Sequence, residues 1–343
     1  MKATIFDVAQ EVGVSIATVS NALTGKKKVS EATRAKIDAA VQKLGYTADP
    51  AASSLKSCSS RIIGLIVPSI DNAFFPAVIR GLSSVLEPNG YIINFYSTGF
   101  HAEMEEKYIH TLLNLRADGI ILDSVSRDER FLRSLASLKF GKKKVPVVAL
   151  ERDLTGLGIT SIYSDNHYGG KLAATHLAER GAKHVAHVRG PETAPWSQDR
   201  YEGFRTGLWE AGLSENPALV VEGDFTLQGG CRAAEQLLAS GVPFDAVFAA
   251  NDLMAIGVIK TLTAHGLRVP EDVSVVGFDN TYVAALTTPP VTTVDLPQHR
   301  LGEQAGHAIM NAMALGGVEQ HCLPLSLIER RSSNSTLPEQ PEW

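Results

Sequence analysis

The stretch TIFDVAQEVGVSIATVSNAL, residues 4–23, predicts two short helices joined by a tight turn. Thr4 is a favourable N-cap for the first helix, and Asp7, three residues later, gives an acidic variant of the capping box. Gly13 ends that helix and Ser15 caps the second. Two short helices with a glycine in the turn form a helix-turn-helix, whose second helix is free to enter the major groove of DNA.

Helical spacing predicts which faces of this headpiece are buried. The apolar residues expected on the inner faces of the first two helices are Ile5, Val8, Ala9, Val12, Val19 and Leu23. The residues expected on the outer face of the second helix are Ile16, Ala17, Thr18, Ser20 and Asn21. A third helix is predicted between its N-cap Ser30 and Gly45, so the headpiece spans residues 1–48.

The charge of the chain is divided unevenly along its length. Of the 343 residues, 32 are Lys or Arg and 37 are Asp or Glu, which gives a net charge of -5. Residues 1–60 hold eight basic and five acidic residues, and their net charge is therefore +3. A basic head on an acidic body is typical of a nucleic-acid-binding module fused to another domain.

Composition excludes several classes of protein. Hydrophobic residues make up 44% and charged residues 20%, as in a globular protein. Apolar runs are far shorter than the roughly 20 residues that a membrane span needs. Asp7 and Glu11 fall where a secretory signal would have an apolar core, so we expect a protein that stays in the cytoplasm. Three cysteines without a CxxC pair fit a reducing compartment.

Residues 61–330 predict an α/β body. Near-continuous apolar runs alternate with helical stretches, as in doubly wound parallel sheets with helices on both faces. The ten predicted strands are IIGLIVP, YIINFYS, ADGIILD, VPVVAL, SIYSD, HVAHVRG, ALVVEGD, AVFAAND, VSVVGFD and TTVDL.

Residues 3–46, ATIFDVAQEVGVSIATVSNALTGKKKVSEATRAKIDAAVQKLGY, resemble the DNA-binding headpiece of the lactose-repressor (LacI/GalR) family. The resemblance continues in order through GLIVPSIDNAFF, ADGIIL, PVVAL with ER, GGKLAATHL, RYEGFRTGL, VFAANDLMAIG, LRVPEDVSVVGFDN and TPPVTTV. Each piece alone is weak, but the ordered set is specific and covers nearly the whole chain. It implies a ligand-responsive transcriptional repressor that binds a palindromic operator as a homodimer.

The resemblance implies roles for the headpiece residues. Ile16, Ala17 and Asn21 occupy the positions that set base preference in relatives, and the Asn21 amide can make two hydrogen bonds to adenine. Relatives frequently carry arginine there, which suits guanine, so we expect A·T in this operator where those relatives prefer G·C. Contacts to phosphates are expected from Thr4, Ser15, Thr18, Ser20 and Lys28.

The segment DPAASSLKSCSS, residues 49–60, is small and polar and is typical of a linker. By the resemblance it folds into a short hinge helix on operator DNA, where Leu55 wedges into the minor groove. Lys56 beside it is also expected to contact DNA. Cys58 is interpreted as an exposed free thiol.

The resemblance further implies a periplasmic-binding-protein-like core with two lobes and a ligand cleft between them. The expected lobe boundaries are about 61–163 with 293–322 for the N-lobe, and about 164–292 with 323–330 for the C-lobe. The tail, residues 331–343, has no leucine heptads and is predicted to be flexible, which argues against a tetramer-forming coiled coil. The dimer interface is expected to include the helix around residues 74–88.

Several predicted strands end in polar or aromatic residues, which lie where ligands bind in open α/β sheets. The expected ligand-contacting residues are Ile70, Asp71, Phe74, Asp165, Trp196, Arg200, Phe225, Asn251 and Asp279. Planar polar groups pair with vicinal hydroxyls, and aromatic faces cover the C–H surface of a sugar ring. The expected effector is therefore a sugar or sugar derivative, with a purine or nucleoside as the second choice, and no cofactor is expected.

Other interpretations stay open at this point. Asn251 could cap the helix that begins at Asp252, Asp279 could serve a turn, and Phe225 could belong to the core. A solute-binding protein without a DNA role shares the predicted body. An enzyme is disfavoured, because the chain has no Walker A or GxSxG pattern and no spacing of His and Cys that suits a metal or a catalytic site.

Overall fold

The computed structural model describes residues 3–24, 27–46 and 59–337, and the chain divides into two compact units, residues 1–60 and 61–343. The first unit contains three helices: α1 (Ile5–Val12), α2 (Ile16–Thr24) and α3 (Glu31–Leu44). The capping box is present, because the Thr4 hydroxyl accepts from the Asp7 amide and the Asp7 carboxylate accepts from the Thr4 amide at 2.7 Å. Gly13 ends α1 at φ +74°, where a Cβ would be strained.

The core of the headpiece differs from the predicted one at a single position on α2. Val8 and Val19 are fully buried, as expected of the inner faces, and Ile37 of α3 is fully buried with them. Leu23 was predicted to face inward, but it is exposed, and Ala22 is buried instead. Ala22 and Leu23 lie three and four residues after Val19, so helical spacing allows either to share its face, and the two point about 100° apart.

The body contains fourteen strands among the described residues. They are β1 (Ile62–Val67), β2 (Ile92–Ser97), β3 (Gly119–Leu122), β4 (Lys139–Phe140), β5 (Lys143–Lys144), β6 (Val147–Leu150), β7 (Thr160–Ser164), β8 (Val185–Arg189), β9 (Val220–Glu222), β10 (Ala246–Ala249), β11 (Ser274–Asp279), β12 (Thr292–Asp295), β13 (Gln320–Leu323) and β14 (Ser326–Ile328). All ten predicted strands are present. The short hairpin β4–β5 and the last two strands were not predicted.

Helices cover both faces of the sheets. They are α4 (Phe74–Leu86), α5 (Ala102–Asn114), α6 (Glu129–Leu135), α7 (Asn166–Glu179), α8 (Pro195–Glu210), α9 (Leu227–Ala239), α10 (Asp252–Ala264), α11 (Tyr282–Ala285) and α12 (Gln298–Ala314). Short 3-10 turns lie at Thr155–Leu157, Pro217–Leu219 and Arg331–Ser333. Within the described ranges, no helix is long and apolar enough to cross a bilayer.

Two six-stranded sheets define the lobes. The first has the order β13-β7-β6-β3-β1-β2, and all its pairs are parallel. The second has the order β14-β12-β11-β10-β8-β9, with only β14 antiparallel. The doubly wound architecture predicted from the sequence is therefore present in both halves.

The predicted lobe boundaries need a small correction. The N-lobe was expected to resume at residue 293, but β12 pairs with β11 from Thr292 to Asp295 and belongs to the second sheet. The chain therefore returns to the first lobe only after Asp295. It leaves that lobe again between β13 and β14, so the boundary expected after residue 322 lies just beyond Leu323.

The segment 331–337 is not the flexible tail that its small, polar composition predicted. Ser332 is fully buried, where its hydroxyl donates to the Val275 carbonyl at 2.6 Å and accepts from the Thr292 amide at 2.8 Å. The Ser333 hydroxyl lies 2.7 Å from His176 Nε2. These hydrogen bonds fix the segment against the second sheet. The rest of the predicted tail lies outside the described residues.

Close helix pairs stiffen the body through glycines that allow backbones to approach. The pairs α4–α12, α7–α8 and α9–α10 each place glycines of both helices against the partner backbone: Gly81 with Gly302, Gly170 with Gly203, and Gly230 with Gly257. A Cβ on Gly170 would lie 2.0 Å from the carbonyl oxygen of Arg200. Since α8 also carries Trp196, this contact fixes two of the predicted ligand-contacting side chains.

Gly170→Ala tests this packing. The new methyl group would force α7 and α8 apart, and we expect the free energy of unfolding in urea to fall by about 1–3 kcal/mol. The control is Gly156→Ala, where no atom would lie within 4 Å of the new Cβ. Equal stability of the two variants would contradict the role of the glycine contact.

Candidate functional site

A small cavity lies between the two lobes at the carboxyl ends of their strands. Its volume is about 30 Å³, which suits about two water molecules rather than a sugar. The lining residues are Pro68, Ser69, Asn72, Phe74, Phe75, Phe100, Asp123, Glu151, Trp196, Arg200, Phe225 and Asp279. Asp123 follows β3 and Glu151 follows β6 of the first lobe, whereas Asp279 ends β11 of the second. A larger ligand therefore requires side chains or lobes to move.

Arg200 is the cation of this cavity, and it is only 4% exposed. Its Nε donates to Asn166 Oδ1 at 2.8 Å, and its Nη1 donates to the Ala250 carbonyl at 2.6 Å. Its Nη2 lies 3.5 Å from Asp279 Oδ1, and its guanidinium stacks on the Phe278 ring at 3.7 Å. These four contacts fix the guanidinium plane at the base of the cleft.

Three buried carboxyl groups face this one guanidinium. Burial raises the pKa of Asp279 to about 8 and that of Glu151 to about 7, although Arg200 partly opposes both shifts. Burial, with the neighbouring charge of Glu151, also raises the pKa of Asp123 well above its ordinary value. Among the described residues, Asp123 Oδ1 and Glu151 Oε1 have no hydrogen-bond partner. The cleft therefore has unused acceptors for hydrogen-bond donors.

Aromatic rings close the cavity on its apolar sides. Phe100 and Phe225 stack at 6.0 Å between ring centroids, and Phe74 meets Phe75 edge-on at 5.1 Å. Trp196 is buried at the start of α8. Such faces suit the C–H surface of a sugar ring or a flat base.

Backbone strain is concentrated in the lining. Glu151, Phe225 and Asp279 have φ values of +52°, +62° and +100°. Residues other than glycine rarely adopt this region, and such strain often accompanies binding sites.

The structure brings together five of the nine predicted ligand-contacting residues. Those that line the cavity are Phe74, Trp196, Arg200, Phe225 and Asp279. The side chain of Asn251 instead caps α10, accepting from the Met254 amide at 2.9 Å, and donates to the Phe225 carbonyl at 3.0 Å. Asn251 therefore supports Phe225 from behind. Its observed contacts agree with the alternative in which it caps a helix.

Ile70, Asp71 and Asp165 are exposed and lie outside the cavity lining. The Asp165 carboxylate caps α7 and accepts from the Tyr168 amide at 2.8 Å, while the next residue, Asn166, contacts Arg200. At the other strand end, Asn72 rather than Asp71 lines the cavity. Direct ligand contact by the three exposed residues stays a prediction.

Sequence reasoning missed several lining residues, although the strand-end rule could have found two of them. Asp123 ends the quoted run ADGIILD and Glu151 follows VPVVAL, so both occupy the same type of position as Asp279. Phe100 and Asn72 come from loops whose course no periodicity indicates.

The outer face of α2 carries the predicted DNA-contacting residues. Ile16 and Ala17 are exposed, and Thr18, Ser20 and Asn21 are partly exposed. The Ser15 hydroxyl accepts from the Thr18 amide at 3.1 Å, so Ser15 caps α2 as predicted. Thr4 caps α1 in the same way and Lys28 is exposed, whereas Leu55 and Lys56 lie outside the described residues. Phosphate contacts by these residues stay predictions.

Family models match both units of the chain. Residues 4–49 match the lacI family of bacterial regulatory proteins, and residues 174–333 match the periplasmic binding protein-like domain. The HTH-type transcriptional repressor CytR of Escherichia coli K12 is 33% identical over 311 residues, which cover 91% of this chain and 90% of CytR. The chain belongs to the lacI family.

Further lacI-family relatives are similarly close. The HTH-type transcriptional repressor PurR of Vibrio cholerae is 35% identical over 88% of this chain and 89% of its own. The ribose operon repressor of Halalkalibacterium halodurans is 34% identical over 87% of both chains. All three of these relatives are repressors by name.

Solved structures show the same fold. The lac repressor dimer bound to operator and the anti-inducer ONPF has a TM-score of 0.86 at 27% identity, covering 97% of this chain and 99% of that one. The complex of the transcriptional regulator CelR with cellobiose has a TM-score of 0.70 at 30% identity, covering 96% and 99%.

Glu151→Gln tests the electrostatics of the cleft. The pKa of Glu151 is raised from 4.5 to about 7, so this carboxyl group costs stability that grows as pH rises between those values. We expect the variant to gain about 1–3 kcal/mol in unfolding free energy over the wild type between about pH 5 and pH 8. Urea unfolding at both pH values measures this gain. The exposed Glu87→Gln serves as the control, and a gain independent of pH would contradict the assignment.

Proposed function

We propose that this chain is a transcriptional repressor that binds a palindromic operator as a homodimer, with its DNA affinity controlled by a small molecule in the cleft. The observation that carries the proposal is the combination, in one chain, of a helix-turn-helix with a solvent-facing second helix and a cleft built around a buried arginine. A repressor of this kind acts in the bacterial cytoplasm, on the nucleoid. We expect no catalytic turnover of the bound molecule.

The headpiece supplies sequence recognition. Ile16 and Ala17 are exposed at the N-terminal end of α2, the part of a recognition helix that reaches base edges. Asn21 lies one turn later and can hold adenine with two hydrogen bonds, worth about 1–3 kcal/mol against a wrong base. The lysines at positions 26–28 can contribute phosphate contacts, which set affinity and register rather than sequence.

The body supplies control. Ligand binding between the lobes would change their separation and thereby the spacing of the two hinge segments in a dimer. This change in spacing would favour or disfavour the insertion of Leu55 into the minor groove. A coupling free energy of about 1–3 kcal/mol between cleft and DNA is typical of such systems. Release of DNA on ligand binding is the behaviour we favour.

The ligand class follows from the lining. Buried polar groups that converge from both lobes, flanked by aromatic rings, suit a polyhydroxylated ring. The names of relatives point the same way, since one is a ribose operon repressor and a structural relative was solved with cellobiose. A sugar or sugar derivative is therefore the favoured effector, with a nucleoside or purine second.

The dimer follows from operator symmetry and from a free helix face. One face of α4 packs on α12 through Gly81 and Gly302, while Pro76 and Arg80 on the other face are exposed. We place this exposed face in the interface between the two copies, so that the paired headpieces match the two halves of a palindrome.

Selection of bound duplexes from a random DNA pool tests the function, and Asn21→Arg tests the recognition model. We expect the wild type to enrich a palindrome, and the variant to replace A·T by G·C at one position in each half-site, because arginine pairs with guanine. Sequencing of the enriched pools measures both.

The matched control is Gln10→Arg, which adds the same charge on the exposed face of α1. It should leave the preferred sequence unchanged. If Asn21→Arg enriches the same sequence as the wild type, the assignment of Asn21 is wrong. If the wild type enriches no sequence, with or without a mixed pool of sugars and nucleosides, the repressor proposal fails.

A further inference from the structure

The cleft holds more buried carboxyl groups than its one arginine can pair. Asp123, Glu151 and Asp279 are each at most 7% exposed, and all three line the cavity with Arg200. Arg200 forms its ion pair with Asp279. Within the described residues, no cationic side chain lies within ion-pairing distance of Asp123 or Glu151. The first lobe therefore brings two acids to the cleft without a protein cation.

One carboxyl oxygen of each of these two acids also has no hydrogen-bond donor. Asp123 Oδ1 and Glu151 Oε1 are buried with no partner among the described residues. Glu151 Oε2 receives only a long hydrogen bond of 3.4 Å from Asn166. A buried carboxylate without a partner is strongly unfavourable, and such groups are retained where a ligand satisfies them. The positive φ of Glu151 adds strain at the same residue.

The charged groups around Asp123 and Glu151 do not supply the missing cation or hydrogen-bond donors. Glu105 accepts from the Ser124 hydroxyl at 2.6 Å and from the Val125 amide at 2.7 Å. Asp252, on the other lobe, accepts from Thr281 and Thr293. Arg152 follows Glu151 in the chain, but it donates to the Ser126 carbonyl at 2.6 Å and does not line the cavity.

We propose that the effector is a polyhydroxylated molecule with a primary ammonium group, of the amino-sugar or amino-polyol class, and that Asp123 and Glu151 bind this ammonium. The inference rests on the proposed function, since it assumes that the cleft binds a small-molecule effector. An ammonium offers three N–H donors, enough for both unpartnered carboxylate oxygens, whereas a hydroxyl offers one. Its charge also offsets the excess of carboxylates, which a neutral sugar does not.

The same arrangement excludes anionic ligands. A phosphate or carboxylate group would approach Asp123 and Glu151 at short range in a poorly hydrated site, where like charges repel strongly. Burial and the charge of Glu151 raise the pKa of Asp123, which shows how unfavourable a further negative charge is there. An anion at Arg200 would have to compete with Asp279, which already forms the ion pair with this guanidinium.

Matched ligand pairs test the proposal on the full-length protein by calorimetric titration near pH 7.5. The pairs are glucosamine with glucose, galactosamine with galactose, mannosamine with mannose, and 2-amino-1,3-propanediol with glycerol. We expect at least one amine to bind about ten-fold or more tighter than its neutral partner, as a charge-assisted contact in a buried site should.

Two variants assign that preference to the acids. Glu151→Gln and Asp123→Asn keep the shape of each side chain and remove its charge, so each should reduce the preference for the amine to about two-fold or less. Glu235→Gln is the matched control, because Glu235 pairs with His265 on the exposed surface and does not line the cavity. It should retain the full preference. The use of two variants guards against misfolding of either one.

The proposal is overturned if every neutral partner binds as tightly as its amine, or if no amine binds at 20 mM. Its failure can be told apart from failure of the proposed function. If a neutral sugar or nucleoside binds the cleft and changes operator affinity, the repressor function stands and only the ammonium is wrong. If no small molecule of the pool changes operator affinity, both are wrong.

Discussion

The buried guanidinium of Arg200 is the interaction on which the cleft depends. It joins Asn166 at the start of α7, the Ala250 carbonyl after β10 and Asp279 at the end of β11. Because a buried cation must have its donors satisfied, these three chain segments have little freedom to move independently. The close contact of Gly170 with the Arg200 carbonyl fixes the same residue from the backbone side. The second lobe therefore presents a rigid surface to any ligand.

The first lobe contributes a less satisfied surface. Asp123 and Glu151 follow β3 and β6 and place buried oxygens in the cleft without hydrogen-bond partners among the described residues. The strained backbone of Glu151 adds to this cost, as does that of Phe225 and Asp279 across the cleft. The protein would be more stable if these buried groups had hydrogen-bond partners. Such a loss of stability is common where a protein must bind a ligand. A ligand that forms hydrogen bonds to both lobes would stabilise them in one arrangement. A change in that arrangement can alter the hinge segment and thereby its binding to DNA.

Local patterns made most of the fold predictable from the sequence. Capping residues such as Thr4, Ser15 and Ser30 indicated where the headpiece helices begin, and continuous apolar runs indicated ten strands. It was harder to predict which of two adjacent residues faces inward. Leu23 and Ala22 are both compatible with the inner face of α2. At strand ends, either of two adjacent polar residues could face the cleft. Asn72 lines the cavity instead of Asp71, because the loop after β1 sets which residue faces inward. Asn166 rather than Asp165 contacts Arg200, because Asp165 serves as a helix cap. The buried serines 332 and 333 have the composition of a linker, and only their tertiary hydrogen bonds distinguish them.

The coupling between ligand binding in the cleft and operator binding is measured most directly by following both in one titration. Trp196 lines the cleft, so its fluorescence in a Trp209→Phe, Trp343→Phe chain reports ligand, while anisotropy of a labelled operator reports DNA. The titrant is the compound giving the strongest response in a mixed pool of sugars, amino sugars and nucleosides. We expect both signals to change with one midpoint, and Arg200→Ala to bind DNA but lose both responses. Arg205→Ala, on the exposed side of α8, should behave as the wild type. Equal loss of DNA binding and ligand response in Arg200→Ala, or an unchanged DNA response, would contradict control from the cleft.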